Sequence, residues 1–223
     1  MIEDLLPTAI LVPSLNRPQN LRALIANIHE ATTVDHFILF CVSDSESRAI
    51  LEELGERYLD DSDCEDRRYV TRMNKLVPMI GGARTVFFGS DDVVHHPRWL
   101  ENALSVMDTG PSVVVVNDMH NRNGTQAVVR TEYLRRAVFD APGLAFHPGY
   151  RHNFADNEMF VTAQVQNEFA RAMDSSVEHL HPLFRASNSL PWDSTYTDAQ
   201  RGWLHDEHLF EDRSRSIIEL SRL

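Results

Sequence analysis

The sequence predicts an α/β fold built on a Rossmann-like, mixed but mostly parallel sheet with helices on both faces. Three observations predict it. Apolar runs of strand length recur at residues 9–12, 37–42, 85–88 and 112–117. Stretches of helical period lie between them, and strands that alternate with helices pair in parallel beneath a helical cover. Beyond residue 117 the dipeptide Asn123-Gly124 marks a tight turn, so residues 126–130 return as a hairpin and make the sheet mixed.

Each element has a local reason. The first strand, Ala9-Ile10-Leu11-Val12, is stopped by Pro13-Ser14. Asn16 is placed to cap the next helix, with Pro18 in its first turn and Leu21, Leu24, Ile25 and Ile28 on its inner face. The second strand ends in Ser43-Asp44-Ser45-Glu46, whose Ser43-to-Glu46 spacing is that of a capping box, and Ile50, Leu51 and Leu54 mark the helix that follows. Residues 59–68 read as an exposed acidic loop, Tyr69-Val70-Thr71 as a short third strand, and residues 73–80 as a helix interrupted by Pro78. Gly81-Gly82 break the chain before the fourth strand. Pro97 then opens a helix with Trp99, Leu100, Ala103, Leu104 and Met107 on one face. Thr131 caps a helix through Leu134 and Val138, residues 142–153 form an irregular loop, and residues 156–173 read as one helix. Residues 177–181 are extended, and residues 197–209 form a helix in the polar C-terminal stretch. The expected organisation is one domain over residues 1–190 with a helical tail over residues 191–223, packed on the domain or extending from it.

Composition narrows the class. The chain is 43% hydrophobic and 24% charged over 223 residues, enough for a sizeable core. Its 33 acidic and 21 basic residues give a net charge of −12, which argues against a broad nucleic-acid-binding face. No apolar run approaches membrane-spanning length, the acidic N-terminus lacks secretory features, and Cys41 and Cys64 form no metal or redox motif, so a cytoplasmic setting is expected. Asn123-Gly124-Thr125 also fits a glycosylation acceptor, but in that setting it is read as the turn. No Gly-x-Gly-x-x-Gly or Walker-type loop follows any strand, which disfavours dinucleotide and P-loop chemistry.

Chemistry gathers after the fourth strand. Thr85-Val86-Phe87-Phe88 ends in Gly89-Ser90 and then presents Asp91 and Asp92. Ligands of open α/β sheets bind beyond the carboxyl ends of the strands. Carboxylates placed there can hold a hard divalent cation, and the cation can hold phosphate oxygens. The plain alternative is a turn residue beside a solvated charge.

Several segments together resemble family-2-like glycosyltransferases with the GT-A fold, of the small soluble phage and bacterial type. Residues 9–18, AILVPSLNRP, look like their first strand and loop. Phe87-Phe88-Gly89-Ser90-Asp91-Asp92 followed by Pro97-Arg98-Trp99-Leu100 looks like their metal motif and next helix. His152-Asn153-Phe154-Ala155-Asp156-Asn157-Glu158 is similar to their segment bearing the catalytic base. Val177-Glu178-His179-Leu180-His181-Pro182, with Asp193 and Tyr196 beyond, resembles their closing segment. The likeness covers residues 9–196, and the order and spacing of the motifs carry it.

This resemblance implies a metal-dependent, inverting transfer of a sugar from a nucleotide-diphosphate sugar, UDP-linked, to an acceptor hydroxyl. It places Mn²⁺ or Mg²⁺ on Asp92, with Asp91 facing the ribose or sugar. The motif's usual earlier acid is here Ser90, which leaves the share of the two aspartates open. His179 and His181 alternate in an extended segment and so share a face, and an imidazole from either suits Mn²⁺. The resemblance makes Asp156 the general base, with Glu158 as its substitute, and Asp44 the reader of a uracil ring nitrogen. Pro13, Ser14, Asn16, Arg17 and Ser90 would line the donor site, and Arg72, Asn74 and Lys75 would face the diphosphate. Each has a plainer role: Asp44 and Asp156 as helix caps, the basic residues as surface charge, and the histidines as packing residues. Trp192 is either a sugar platform or a packing plug. Two other functions remain open: a metal-dependent hydrolase using Asp91, Asp92, His179, His181 and Asp193, and a non-catalytic nucleotide-sugar binding module. The acceptor, whether protein, small molecule, glycan or modified DNA base, is not written in these motifs.

Overall fold

A computed structural model describes residues 7–66, 68–119, 126–137, 143–184 and 190–222. The expected turn at Asn123-Gly124 and the end of the helix at Val138 lie outside these residues.

Strict alternation along the strands builds two cores from one sheet. Strand β1 (Thr8–Pro13) sends Ala9 and Leu11 to one face and Ile10 and Val12 to the other. Strands β2 (His36–Val42), β4 (Thr85–Phe88), β6 (Val113–Asn117) and β7 (Ala127–Arg130) divide their side chains in the same way. Nearly every apolar residue of these central strands is therefore buried, as a sheet covered on both sides requires. With β3 (Arg57–Asp60), β5 (Val93–His95) and β8 (Phe169–His179), the sheet has, among the described residues, eight strands in the order β3-β2-β1-β4-β7-β6-β8-β5. The pairs β1–β2, β1–β4, β2–β3 and β6–β8 are parallel, whereas β7 runs antiparallel to both neighbours and β5 runs antiparallel to β8.

Helices α1 (Pro18–Ala31), α2 (Ser45–Leu54) and α4 (Trp99–Met107) cover one face. Helices α3 (Tyr69–Leu76), α5 (Thr131–Ala137) and α6 (Ala155–Val165) cover the other. Trp99 is fully buried against Phe87, and its indole N–H donates to Thr32 Oγ1 at 2.9 Å, so the polar edge of a large core residue is satisfied. The last helix, α7 (Ser194–Leu220), packs along α6.

Several expectations need correction. Residues 69–71 open helix α3 rather than form a strand: Val70, Met73 and Leu76 recur at helical spacing and all are buried. The third strand is instead β3, an edge strand with exposed ends, paired to β2. The helix expected over 156–173 stops at Val165. Asn167 there adopts a left-handed φ of 59°, and the chain leaves as β8, a strand of 11 residues. Helix caps also move: α1 is capped at Arg17, not Asn16, and α2 at Asp44, not Ser43. Helix α4 begins at Trp99, two residues after Pro97, because Arg98 before it takes a left-handed φ of 65°. Helix α7 is much longer than residues 197–209. Among the described residues no helix is long and apolar enough to cross a membrane.

Candidate active site

A cleft of about 360 Å³ opens where β1 and β4 end. A backbone hydrogen bond between the ends of β4 and β1 shapes its floor. The Gly89 N–H donates to Leu11 O, which draws the end of β4 against β1, and an added Cβ on Gly89 would stand 3.2 Å from that same carbonyl. The chain after β4 thus delivers Asp91 and Asp92 beside the loop after β1.

Arg17 is the electrostatic centre of this floor. It is only 4% exposed. Its Nη1 donates to Asp91 Oδ1 at 2.9 Å and lies 3.7 Å from Asp92 Oδ2. Its Nε and Nη2 donate to the two oxygens of Asp193 at 2.7 and 3.0 Å. The guanidinium also lies 4.2 Å over the Tyr196 ring. Ser14 Oγ donates to the other oxygen of Asp91 at 2.6 Å. Asp92 accepts from Ser90 Oγ at 2.6 Å and from Tyr196 OH at 2.9 Å, and His179 Nε2 stands 3.3 Å from its Oδ1. Gln126 in turn donates to Ser90 Oγ.

The two adjacent carboxyls are driven apart. Burial pushes Asp91 above the usual carboxylate range, and neighbouring Asp92 adds to this against the pull of Arg17. Burial opposes ionisation of Asp92 as well, but His179, Ser90 and Arg17 outweigh it and hold that group well below its ordinary value. His179 responds in kind: burial lowers its affinity for a proton, and Asp92 raises it by more. Asp156, near the N-terminus of α6, lines the same cleft. Burial lifts its carboxyl to about 6, against the lowering effect of backbone N–H bonds from Asn157 and from its own amide.

The side chains on one wall are of types that a divalent cation can use. Its neighbours favour the ionised form of Asp92, and His179 and His181 put imidazoles on the same wall, with ring centroids 5.6 Å apart. Among the described residues no set of three His, Cys, Asp or Glu groups stands ready to enclose a metal. The wall therefore offers a carboxylate and an imidazole, a donor set that hard cations complete with phosphate oxygens and water.

Most expected site residues meet here: Pro13, Arg17, Ser90, Asp91, Asp92, Asp156, His179 and His181 line the cleft, and Ser14 reaches it through Asp91. Six do not line it. Asn16 forms the turn after β1 with φ 55°. Both oxygens of Asp44 are engaged by Ser47, through its N–H and Oγ, as the cap of α2. Arg72 is buried behind the β1 loop, donates to Ser14 O at 3.1 Å and faces Asp61. Asn74 fastens the backbone of residues 145 and 146, and Lys75 pairs with Asp61 at 2.5 Å. Glu158, far from being a spare base, accepts from Tyr150 OH at 2.6 Å and pairs with Arg213 of α7 at 2.7 Å. Trp192 is 45% exposed, beside His181 and Tyr196, and is not a core plug.

Sequence reasoning missed the aromatic side of the cleft: Tyr69, Phe88, Phe146, Phe154, Phe160 and Trp203. Phe88 and Phe154 stand within the quoted motifs, with no role expected of them there, and the other four are scattered over the chain. The one sequence signal lay in α7, where Asp193 precedes Ser194-Thr195 as a helix cap and accepts both the Thr195 and Tyr196 N–H groups.

Comparison with known proteins agrees with this geometry. A family model described as glycosyl transferase family 2 matches residues 9–164. Among solved structures, the mannosyltransferase PcManGT from Pyrobaculum calidifontis, in complex with GDP-Man and Mn²⁺, aligns with a TM-score of 0.66 at 11% identity, over 89% of this chain and 62% of that one. Glucosyl-3-phosphoglycerate synthase from Mycobacterium tuberculosis, bound to Mn²⁺, UDP and glucosyl-3-phosphoglycerate, gives 0.56 at 12% identity, over 78% of this chain and 71% of that one. S. aureus TarS gives 0.60 at 12% identity, over 77% of this chain and 36% of that one. The chain thus spans from about a third to under two thirds of the length of the first structures it matches. At such identities these likenesses carry the fold alone. No curated protein sequence matches. With the GT-A arrangement of its sheet and a family match that runs from β1 into α6, the chain belongs to glycosyl transferase family 2.

Proposed function

We propose that this chain moves a glycosyl group from a nucleotide-diphosphate sugar, UDP-linked, to an acceptor hydroxyl, with Mn²⁺ or Mg²⁺ and with inversion at the anomeric carbon. The observation that carries the reading is the placing of Asp156 in the same cleft as the Asp91–Asp92 pair and the two histidines. Asp92 with His181 or His179 would hold the cation, which supplies positive charge against the diphosphate as it leaves. Arg17 and Ser14 hold Asp91 fixed, so its carboxylate can orient a sugar or ribose hydroxyl without rearranging. Asp156 accepts the proton of the acceptor hydroxyl while that oxygen forms its bond to the anomeric carbon, and the bond from that carbon to the diphosphate oxygen breaks on the opposite face. A carboxyl that titrates at about 6 is a stronger base than a solvated one and is still mostly ionised at neutral pH. The neighbours bound to GDP-Man with Mn²⁺ and to UDP with Mn²⁺ support the donor class. The hydrolase reading is weaker, because Asp193 is already committed to Arg17 and to the start of α7.

Water as a stand-in acceptor tests this without knowledge of the natural one. Incubation of UDP-α-sugars with protein and Mn²⁺, followed by proton NMR, is expected to show the β-anomer released first, and only with metal present. Initial release of the α-anomer would overturn inversion. Absence of release from every nucleotide sugar, with metal-dependent hydrolysis of simple esters, would favour the hydrolase.

A further inference from the structure

Helix α7 buries one face through Tyr196, Ala199, Gly202 and Asp206. Helical spacing predicts an apolar residue at the last of these positions, yet a carboxylate stands there with no exposure at all. Its partners explain it. Asp206 Oδ1 accepts the Arg151 N–H at 3.0 Å, and Oδ2 accepts the His152 and Asn153 N–H groups at 2.9 and 2.8 Å. His205 Nδ1 lies 2.9 Å from Oδ1. Three consecutive backbone donors, in a loop with no strand or helix to satisfy them, thus converge on one side chain 53 to 55 residues away. The stitching continues on either side. Asn153 Nδ2 donates to Ala199 O at 2.8 Å, and the Phe154 ring packs against Trp203 and Phe210 at 4.8 and 5.6 Å. Phe154 itself takes a left-handed φ of 62°, and α6 starts at the next residue.

We infer that Asp206 is a positioning residue for Asp156: by binding the backbone of residues 151–153 it fixes the start of α6, and with it the depth at which the Asp156 carboxyl sits in the cleft. The inference rests on the glycosyl-transfer reading only for the role of Asp156 as base; the positioning itself is geometric. Helix α7 is on this account part of the cleft's framework. Its cap residue Asp193, paired with Arg17, braces one end of the cleft, and Asp206 braces the wall that carries His152, Asn153 and Phe154. The groups that bear on Asp156 are the backbone amides of Asn157 and of Asp156 itself, His179 and Asp118, with the Tyr69 phenol also within its field. A loosened loop would admit water among them, and the carboxyl would titrate lower.

The test needs no substrate. Carbon-13 NMR of aspartate-labelled full-length protein follows the Asp156 titration, and hydrogen exchange follows the amides of residues 151–153. In Asp206→Asn an amide N–H₂ replaces one acceptor oxygen among backbone donors. The expected result is a fall of at least half a pH unit in the Asp156 midpoint and at least tenfold faster exchange of the His152 and Asn153 amides. Asn153→Ala, which removes the second stitch, is expected to shift both in the same direction, and serves if the Asp206 variant does not fold. Leu51→Ala, destabilising but on the opposite face, is expected to move neither. An unchanged midpoint and unchanged exchange in a folded Asp206→Asn protein, or an equal shift in Leu51→Ala, would overturn the inference. Failure of the parent reading looks different: Asp156→Asn would retain donor turnover while the titration results stood.

Discussion

Replacing Asp156 by Asn is expected to make the protein more stable and inactive. Burial lifts the Asp156 carboxyl from an ordinary value near 3.8 to about 6. At about 1.4 kcal/mol per unit, that gap sets an upper bound of about 3 kcal/mol, and partial solvent contact at the cleft wall reduces it to about 1–3 kcal/mol. The folded state binds the proton more tightly than the unfolded state does. Stability from this group is therefore complete at pH below about 4 and is lost as pH rises through about 6. An amide carries no charge to desolvate and keeps an oxygen for the Asn157 N–H. Urea unfolding at pH 8 should then show Asp156→Asn more stable than wild type by about 1–3 kcal/mol, with the difference closing at pH 4. Donor turnover should fall by about 10²–10⁴, the usual contribution of a general base. A folded variant no more stable than wild type at pH 8 would refute the desolvation argument, and one that retained full turnover would refute the base.

Arg17→Met leaves Asp91, Asp92 and Asp193 without their shared cation and should cost about 3–5 kcal/mol in urea unfolding at pH 8, less at pH 5 where Asp91 takes up a proton. Tyr196→Phe removes one buried hydrogen bond to a charged acceptor and should lower stability by about 1.5–3 kcal/mol by the same assay. Asp44→Ala should cost about 1 kcal/mol as a lost helix cap and leave the Kd for UDP unchanged in titration calorimetry; a tenfold weaker Kd would return Asp44 to the nucleotide. The kcat/KM for donor should rise with pH through an acid limb near 6, as Asp156 loses its proton; a limb near 4 would place the base elsewhere.

The parts of this molecule legible in the sequence are those decided by neighbours along the chain. The apolar run 85–88, ended by Gly89-Ser90, placed Asp91 and Asp92 at a strand exit, and the leucines and isoleucines of α1 announced its buried face. Strand β3 was hidden because an edge strand needs few apolar residues, and its Leu59 and Asp60 read as the start of an acidic loop. Helix α3 was misread because Tyr69-Val70-Thr71 favours strand locally, a preference that burial of Val70, Met73 and Leu76 overrides. The boundary between α6 and β8 carries neither Gly nor Pro, and its one signal is Asn167, a residue type that accepts the left-handed turn. The Arg17–Asp193 pair spans 176 residues of chain, and the grip of Asp206 on residues 151–153 depends on how α7 lies over α6. Neither is a property of any local window. Asp44 and Arg72 are of residue types that suit a donor site, but Asp44 is engaged by Ser47 three residues on, and Arg72 by Ser14 O, 58 residues away in the chain.

The central claim is that this cleft takes a nucleotide diphosphate together with a divalent cation on Asp92. A ligand that binds only the folded state must raise its melting temperature. Melting the protein with UDP, GDP and their sugars, each with Mn²⁺, with Mg²⁺ and with chelator, is the most direct measurement. The account predicts a rise with UDP or a UDP-sugar that requires the metal and disappears in Asp92→Ala. A rise with metal alone, and none with any nucleotide, would contradict it.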